Sequence, residues 1–186
     1  MSDDYLVRHA APTRAGIKTA SLFTCPYQSK DQLMKSVRQW NKRLVPKGLR
    51  VLPLRFSDKK ALIYLYRPQM LSTDLSDSTA IRILEECGYQ DRRSEKCIIR
   101  LIQKLRQQED FPHEIGLFLG YPPKDVIGFI ECGPDCCKCC GCWKVYSDEE
   151  SAKKKFAQYK KCTRVYWEQW SKGKDIERLT VTSRAG

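Results

Sequence analysis

The sequence has no run of apolar residues long enough to cross a membrane and no apolar segment near its N-terminus. Its longest apolar stretch, residues 61–66, has the length of a strand, whereas a membrane helix needs about 18–20 residues. The first four residues include two acids, Asp3 and Asp4, and lack the apolar core of a secretory signal. We therefore expect a cytoplasmic protein that does not enter a membrane.

Nucleotide-binding motifs are also missing, and histidine is scarce. The sequence has no Walker loop, no GxGxxG string and no GxSxG string. Its two histidines, His9 and His113, are suited to acid–base chemistry near neutral pH, but a structural role is the first expectation for each. If they meet in space near Glu114 and Cys140, they form a mixed metal, haem or catalytic site. Whether the chain is an enzyme stays open.

Basic residues outnumber acidic ones by 34 to 22, which gives a net charge of +12. The excess is concentrated after residue 150, where apolar residues recur at the spacing of a helix from about 148 to 172. The cations on or beside the side away from its apolar face are Lys153, Lys154, Lys160, Lys161, Arg164 and Lys172. This basic face is a solvated surface, a docking surface for an acidic protein, or a nucleic-acid interface. No nucleic-acid-binding motif supports the third alternative.

Ten cysteines are the most unusual feature of the composition. A cysteine-rich loop at 132–142 contains six of them: Cys132, Cys136, Cys137, Cys139, Cys140 and Cys142. They form overlapping CxxC pairs, and zinc and iron–sulfur clusters are bound where four such thiolates converge. The alternatives are a redox dithiol, whose thiolate Lys138 and Lys144 would stabilise, and an exposed loop without a ligand.

The apolar pattern predicts an α+β fold in a single domain, residues 1–186. Helical spacing and capping residues predict helices over 29–44, within 77–87 and 94–105, and two short ones within 111–131. Residues 17–23 are expected to form a turn or two of helix. Residues 49–56 and 61–66 predict a hairpin whose first strand is an edge strand or bulges at Pro53. The predicted sheet is small and antiparallel, a hairpin plus one short strand at 143–146, and packs with several helices including the long C-terminal one.

Several strings of the sequence resemble one bacterial family. They are HAAPT at 9–13, GIK at 16–18, WN at 40–41, PKGL at 46–49, YRP at 66–68, HEIGLFLGYP at 113–122 and WKVY at 143–146. Together they are similar to domain-of-unknown-function family 3793, found mainly in anaerobic Firmicutes. The resemblance covers residues from about 5 to about 170. It implies a link to iron uptake and to flavodoxins, which are acidic redox proteins.

The family pattern has a single Cys-Gly before its Trp-Lys-Val-Tyr string, and Cys140-Gly141 corresponds to it. The other five cysteines of the loop are then particular to this chain. Our leading hypothesis is a protein of iron or electron-transfer metabolism that binds iron, as an iron–sulfur cluster, or zinc through the loop. Its basic helix would meet an acidic partner such as a flavodoxin. The competing hypotheses are a nucleic-acid-binding regulator with a structural zinc and an enzyme with a His/Glu/Cys site.

Overall fold

The computed structural model describes residues 3–107 and 111–182, and the chain divides into two compact units. The first unit combines Met1–Gln69 with Tyr159–Gly186, and the second is Met70–Gln158. The α+β class, the small antiparallel sheet and the long C-terminal helix are confirmed. The assignment of the whole chain to one domain stays a prediction. None of the helices described is long and apolar enough to span a membrane.

The first unit is built around a three-stranded antiparallel sheet in the order β1-β3-β2. Its elements are α1 (Asp4–Arg14), β1 (Ala20–Pro26), α2 (Lys30–Leu44), a 3-10 turn (Val45–Lys47), β2 (Arg50–Ser57) and β3 (Lys60–Tyr66). The predicted helical spacing on α2 is confirmed, because Leu33, Val37, Trp40 and Leu44 are all buried in the core. The Trp40 indole also donates to the Asp3 carboxylate over 2.8 Å.

The β2–β3 hairpin follows the prediction closely. Asp58 and Lys59 form its turn with φ of +34° and +60°, the left-handed conformation that two-residue hairpin turns require. β2 is an edge strand, and its register with β3 shifts between Pro53 and Arg55. Pro53 lacks the N–H that a regular ladder needs, so the strand bulges where the proline falls.

The helix predicted for residues 17–23 is wrong. These residues lead into β1, which pairs antiparallel with β3, so that Phe23 lies opposite Ile63. Seven residues are too few for local spacing to separate a short helix from a strand, and here the pairing with β3 decides. The helix α1 was not expected, since it contains Pro12; its backbone departs from helical geometry at Ala10.

Two buried guanidinium groups connect distant segments of the first unit. Arg14, at the end of α1, donates to Ile176 O, Leu179 O and Thr180 Oγ1 at 3.0–3.2 Å. Its remaining nitrogen, Nη1, makes no hydrogen bond with the residues described, but the guanidinium lies 5.4 Å from the centre of the Tyr166 ring. Burial lowers the pKa of Arg14 to about 10, so the group stays charged at neutral pH.

Arg67, just after β3, supplies the second buried guanidinium. It donates to Thr13 O, Arg14 O and Val181 O at 2.7–2.8 Å. The two arginines together hold the end of α1 and the segment around residues 176–181 in place.

The second unit is mainly helical. Its elements are α3 (Pro68–Leu75), which begins in the first unit, then α4 (Ser78–Glu86), α5 (Ser94–Gln107), α6 (Ile115–Phe118), α7 (Pro123–Cys132), a 3-10 turn (Pro134–Cys136), β4 (Cys139–Cys140), β5 (Lys144–Val145) and the first part of α8 (Glu149–Ser171). The strand predicted at 143–146 exists as β5, but it pairs with β4 in a separate two-stranded sheet. The cap of α8 is Asp148, whose carboxylate accepts from Ser151 N over 3.0 Å.

We expect Arg14→Lys to destabilise the protein by about 2–4 kcal/mol, because a lysine ammonium cannot reproduce the fork of donors to three acceptors. Urea unfolding at pH 7 measures the change. Arg38→Lys on α2 is the control, since Arg38 is exposed and its replacement should leave stability within about 0.5 kcal/mol. Equal changes in the free energy of unfolding for the two substitutions would show that the buried guanidinium of Arg14 stabilises the protein no more than an exposed one.

Candidate functional site

The cysteine-rich loop is an ordered turn followed by a hairpin. Cys132 ends α7, and Gly133, with φ of +72°, reverses the chain into the 3-10 turn Pro134–Cys136. β4 and β5 then pair antiparallel, with Cys139 opposite Val145 and Cys140 opposite Lys144. We call residues 132–147 the cysteine hairpin.

Lysine side chains brace the cysteine hairpin. Lys138 Nζ donates to Ser147 O over 2.7 Å, and Lys144 Nζ donates to Pro134 O over 2.8 Å. The sequence suggested that these two ammonium groups would stabilise a thiolate. The hydrogen bonds of both ammonium groups go instead to backbone carbonyls.

A single buried carboxylate anchors the hairpin to α7. Asp125 accepts from Trp143 Nε1 at 2.7 Å, from Tyr146 N at 2.9 Å, and from both Ser147 N and Ser147 Oγ at 2.7 Å. Burial alone would raise the pKa of Asp125, but these hydrogen bonds outweigh it, and the pKa lies below its usual range. The Ser147 hydroxyl is committed to Asp125, so the next residue, Asp148, caps α8.

Two glycines allow the hairpin to pack this closely. A Cβ at position 128 would overlap the ring of Tyr146, and one at position 141 would overlap the ring of Phe156. Gly128 and Gly141 therefore fix how near α7 and the start of α8 come to the hairpin.

The Tyr146 side chain packs against α7 and the turn that follows it. The Tyr146 hydroxyl donates to Gly133 O over 2.6 Å. Desolvation raises the pKa of Tyr146, and the negative charges of Cys137, Cys136 and Cys132 raise it further.

Cys139 begins β4 and is half-buried. Desolvation raises the pKa of Cys139, and the charges of Glu149 and Cys137 add to the shift, while Lys153 opposes it. A redox dithiol needs a lowered thiol pKa, so the shift at Cys139 does not favour that alternative.

The six cysteines do not form a single site. Successive residues of a strand point to opposite faces, so Cys139 and Cys140 diverge, and Cys140 and Cys142 are exposed. Among residues 3–107 and 111–182, no three His, Cys, Asp or Glu side chains are arranged to hold a metal ion.

The proposed histidine site, which draws on both units, stays a prediction. His9 lies in the first unit, exposed, with its ring stacked 5.4 Å from that of Phe23. His113 lies in the second unit, exposed, with its ring 4.9 Å from that of Phe129 in an edge-on arrangement. Both imidazoles make the packing contacts expected of structural histidines.

Glu114 has a buried structural role. Its carboxylate pairs with the Lys104 ammonium and accepts from the Tyr89 hydroxyl, the latter over 3.1 Å. Burial and the charge of Glu114 both raise the pKa of Tyr89. Glu114 is buried and His113 is exposed, so the two side chains do not face the same environment although they are adjacent in sequence.

The predicted basic residues lie on α8 or directly after it. Two of them pair with acids one turn away: Lys153 with Glu149 over 2.6 Å, and Arg164 with Glu168 over 3.8 Å. The remaining four are exposed: Lys154, Lys160, Lys161 and Lys172. Docking of an acidic protein or of nucleic acid on this face stays a prediction.

The sequence matches the family model described as protein of unknown function (DUF3793) over residues 6–180. The chain belongs to the DUF3793 family. No curated protein and no solved structure matches it. Family membership confirms the resemblance seen in the sequence, and the family description assigns no activity. Two of the DUF3793 strings, at 113–122 and 143–146, flank the Asp125 anchor in the second unit.

The role of Asp125 as the hydrogen-bond acceptor for the hairpin is not visible in the sequence. An acid in the first turn of a helix is ordinary, and nothing local signals that its oxygens accept from residues 143–147. The only hint is the pair of donors, Trp143 and Ser147, in the segment that follows the cysteines.

We expect Asp125→Asn to destabilise the protein by about 2–4 kcal/mol at pH 7, since the amide nitrogen would face N–H donors and the charge would be lost. The folded-state pKa of Asp125 is lowered, so its contribution is complete above the unfolded pKa of about 3.9 and is lost as the pH falls through the folded value. Urea unfolding at pH 7 and pH 3 measures both effects.

The Asp125→Asn variant should lose less stability than wild type between these pH values. Asp135→Asn, at an exposed position of the same hairpin, should behave like wild type. An unchanged unfolding free energy at pH 7 would show that the four hydrogen bonds do not hold the hairpin.

Proposed function

We propose that the chain binds a thiophilic metal ion, iron or zinc, through the thiolates of Cys132, Cys136, Cys137 and Cys139. The observation that supports this set is that the four cysteines lie within eight residues on one continuous turn of the chain, from the end of α7 through the 3-10 turn Pro134–Cys136 to the start of β4. Four thiolates are the number that structural zinc sites and iron–sulfur clusters use.

The hairpin backbone suits such a site. Its turn and strands are held by the lysine-to-carbonyl bonds and by Asp125, while Cys132 and Cys136 are exposed and Cys137 and Cys139 are half-buried. Exposed side chains change rotamer at little cost. Binding would therefore draw these side chains together over a backbone that is already braced.

Metal binding at these thiols would be pH-dependent. Each ligand must lose its proton before it binds, and the raised pKa of Cys139 makes the thiol the dominant form at neutral pH. Binding then releases protons, and affinity falls as the pH is lowered. An iron–sulfur cluster would place the protein in electron transfer or iron sensing, and zinc would make the site structural.

The test is metal content after purification without oxygen and without a metal-binding tag, followed by incubation with ferrous iron and sulfide or with zinc. We expect wild type to retain close to one ion or one cluster per chain, and Cys137→Ser to lose it, because the set would then have three thiolates where zinc and iron–sulfur sites use four.

Cys140→Ser is the matched control. It changes an exposed cysteine of the same hairpin, on the face opposite Cys139, and should keep the metal. The proposal is wrong if wild type takes up neither metal, or if Cys137→Ser and Cys140→Ser retain it equally.

A further inference from the structure

The second unit contains a cavity of about 360 Å³ whose walls come from α6, α7, the residues before α6 and β5 with its preceding tryptophan. The residues that the argument uses are His113, Gly116, Tyr121, Phe129, Trp143 and Lys144. Small-molecule sites span roughly 300–1,000 Å³, so this cavity suits a ligand at the small end of that range.

The cavity walls are held in position. A Cβ at Gly116 would lie 2.8 Å from Val126 Cγ2 and 3.1 Å from Tyr121 Cδ2, so α6 already meets its neighbours at close contact. The indole of Trp143 is fixed by its bond to Asp125. A ligand would enter a preformed space, which lowers the entropic cost of binding.

Aromatic side chains dominate the walls. The rings of Tyr121 and Trp143 stack with centres 5.1 Å apart at 27°, and the imidazole of His113 meets Phe129 edge-on. Surfaces of this kind favour a flat ring, which gains stacking and edge-to-face contacts in addition to its burial.

The polar side chains that line the cavity are those of His113, Lys144, Tyr121 and Asp125, and an imidazole offers at least one donor. The His113 imidazole makes no hydrogen bond with any residue that the structure describes. The Lys144 ammonium gives one of its protons to Pro134 O and has two further donors. Asp125 also borders the cavity, but its carboxylate already accepts four hydrogen bonds, so it is saturated. A complementary ligand presents an acceptor, and a negative charge suits Lys144 best.

We propose that this cavity binds a small planar aromatic molecule carrying a carboxylate. The ring lies against Trp143 and Phe129, and the carboxylate meets His113 and Lys144. None of the cavity's described lining residues is a cysteine, so the inference does not rest on the proposed metal site, and either can fail alone.

Isothermal titration calorimetry of the full-length chain with indole-3-acetate tests the proposal, with indole-3-ethanol as the neutral probe of similar size. We expect saturable one-to-one binding of the acid and binding of the alcohol that is weaker by about tenfold, the loss of one charge-assisted hydrogen bond. If neither probe binds saturably, the proposal is wrong. If the two bind with equal affinity, the cavity does not recognise a carboxylate and that part of the proposal is wrong.

Variants locate the site. His113→Ala changes an exposed side chain and Lys144→Met removes the ammonium; each should weaken binding of indole-3-acetate by about tenfold. Lys124→Met, at an exposed position of α7 outside the cavity, is the matched control for loss of one positive charge and should bind like wild type. If all three variants bind alike, the acid is held elsewhere on the basic surface. Lys144→Met also loses the hydrogen bond to Pro134 O. If Lys144→Met is unstable for that reason, the binding measured with His113→Ala tests the proposal instead.

Discussion

The carboxylate of Asp125 is the interaction on which the second unit depends most. A buried charge is tolerated only where hydrogen bonds replace its hydration, and here one indole, two amides and one hydroxyl do so. These donors all come from residues 143–147, so satisfying one charge also fixes the hairpin. The positions of the thiols in that hairpin and the shape of the aromatic cavity beside Trp143 both depend on these hydrogen bonds.

The first unit also buries a charge, but there the buried group is a cation. Arg14 is fully buried, and its acceptors are carbonyls and a hydroxyl around residues 176–180 rather than a carboxylate. Arg67 repeats the arrangement with carbonyls at the end of α1. In both units the buried charge bonds to a segment distant in sequence and orders it.

The parts of the fold that the sequence predicts are those governed by local spacing. The apolar residues of α2, the turn at Asp58 and Lys59, and the bulge at Pro53 each follow from a few neighbouring residues. Residues 17–23 were misassigned because their strand pairs with β3, some forty residues later. No local pattern carries that information.

The candidate site divides in the same way. The number and spacing of the cysteines are visible in the sequence, but which of them follow the turn after α7 and which diverge across β4 depends on where the chain reverses. The surroundings of Glu114 depend on Lys104 and Tyr89, from another helix and a loop. Burial and pairing over such distances are properties of the fold, which the local pattern of the sequence does not reveal.

The dependence of Arg14 on residues 176–180 has a consequence for synthesis. The second unit, Met70–Gln158, is continuous in sequence and interrupts the first. On the ribosome it emerges as a whole while the first unit still lacks its later segment, and domains fold as their residues become available. Until residues 176–180 have emerged, the guanidinium of Arg14 lacks its hydrogen-bond acceptors. The order of translation therefore lets the inserted unit fold first, and the unit that begins the chain is completed afterwards.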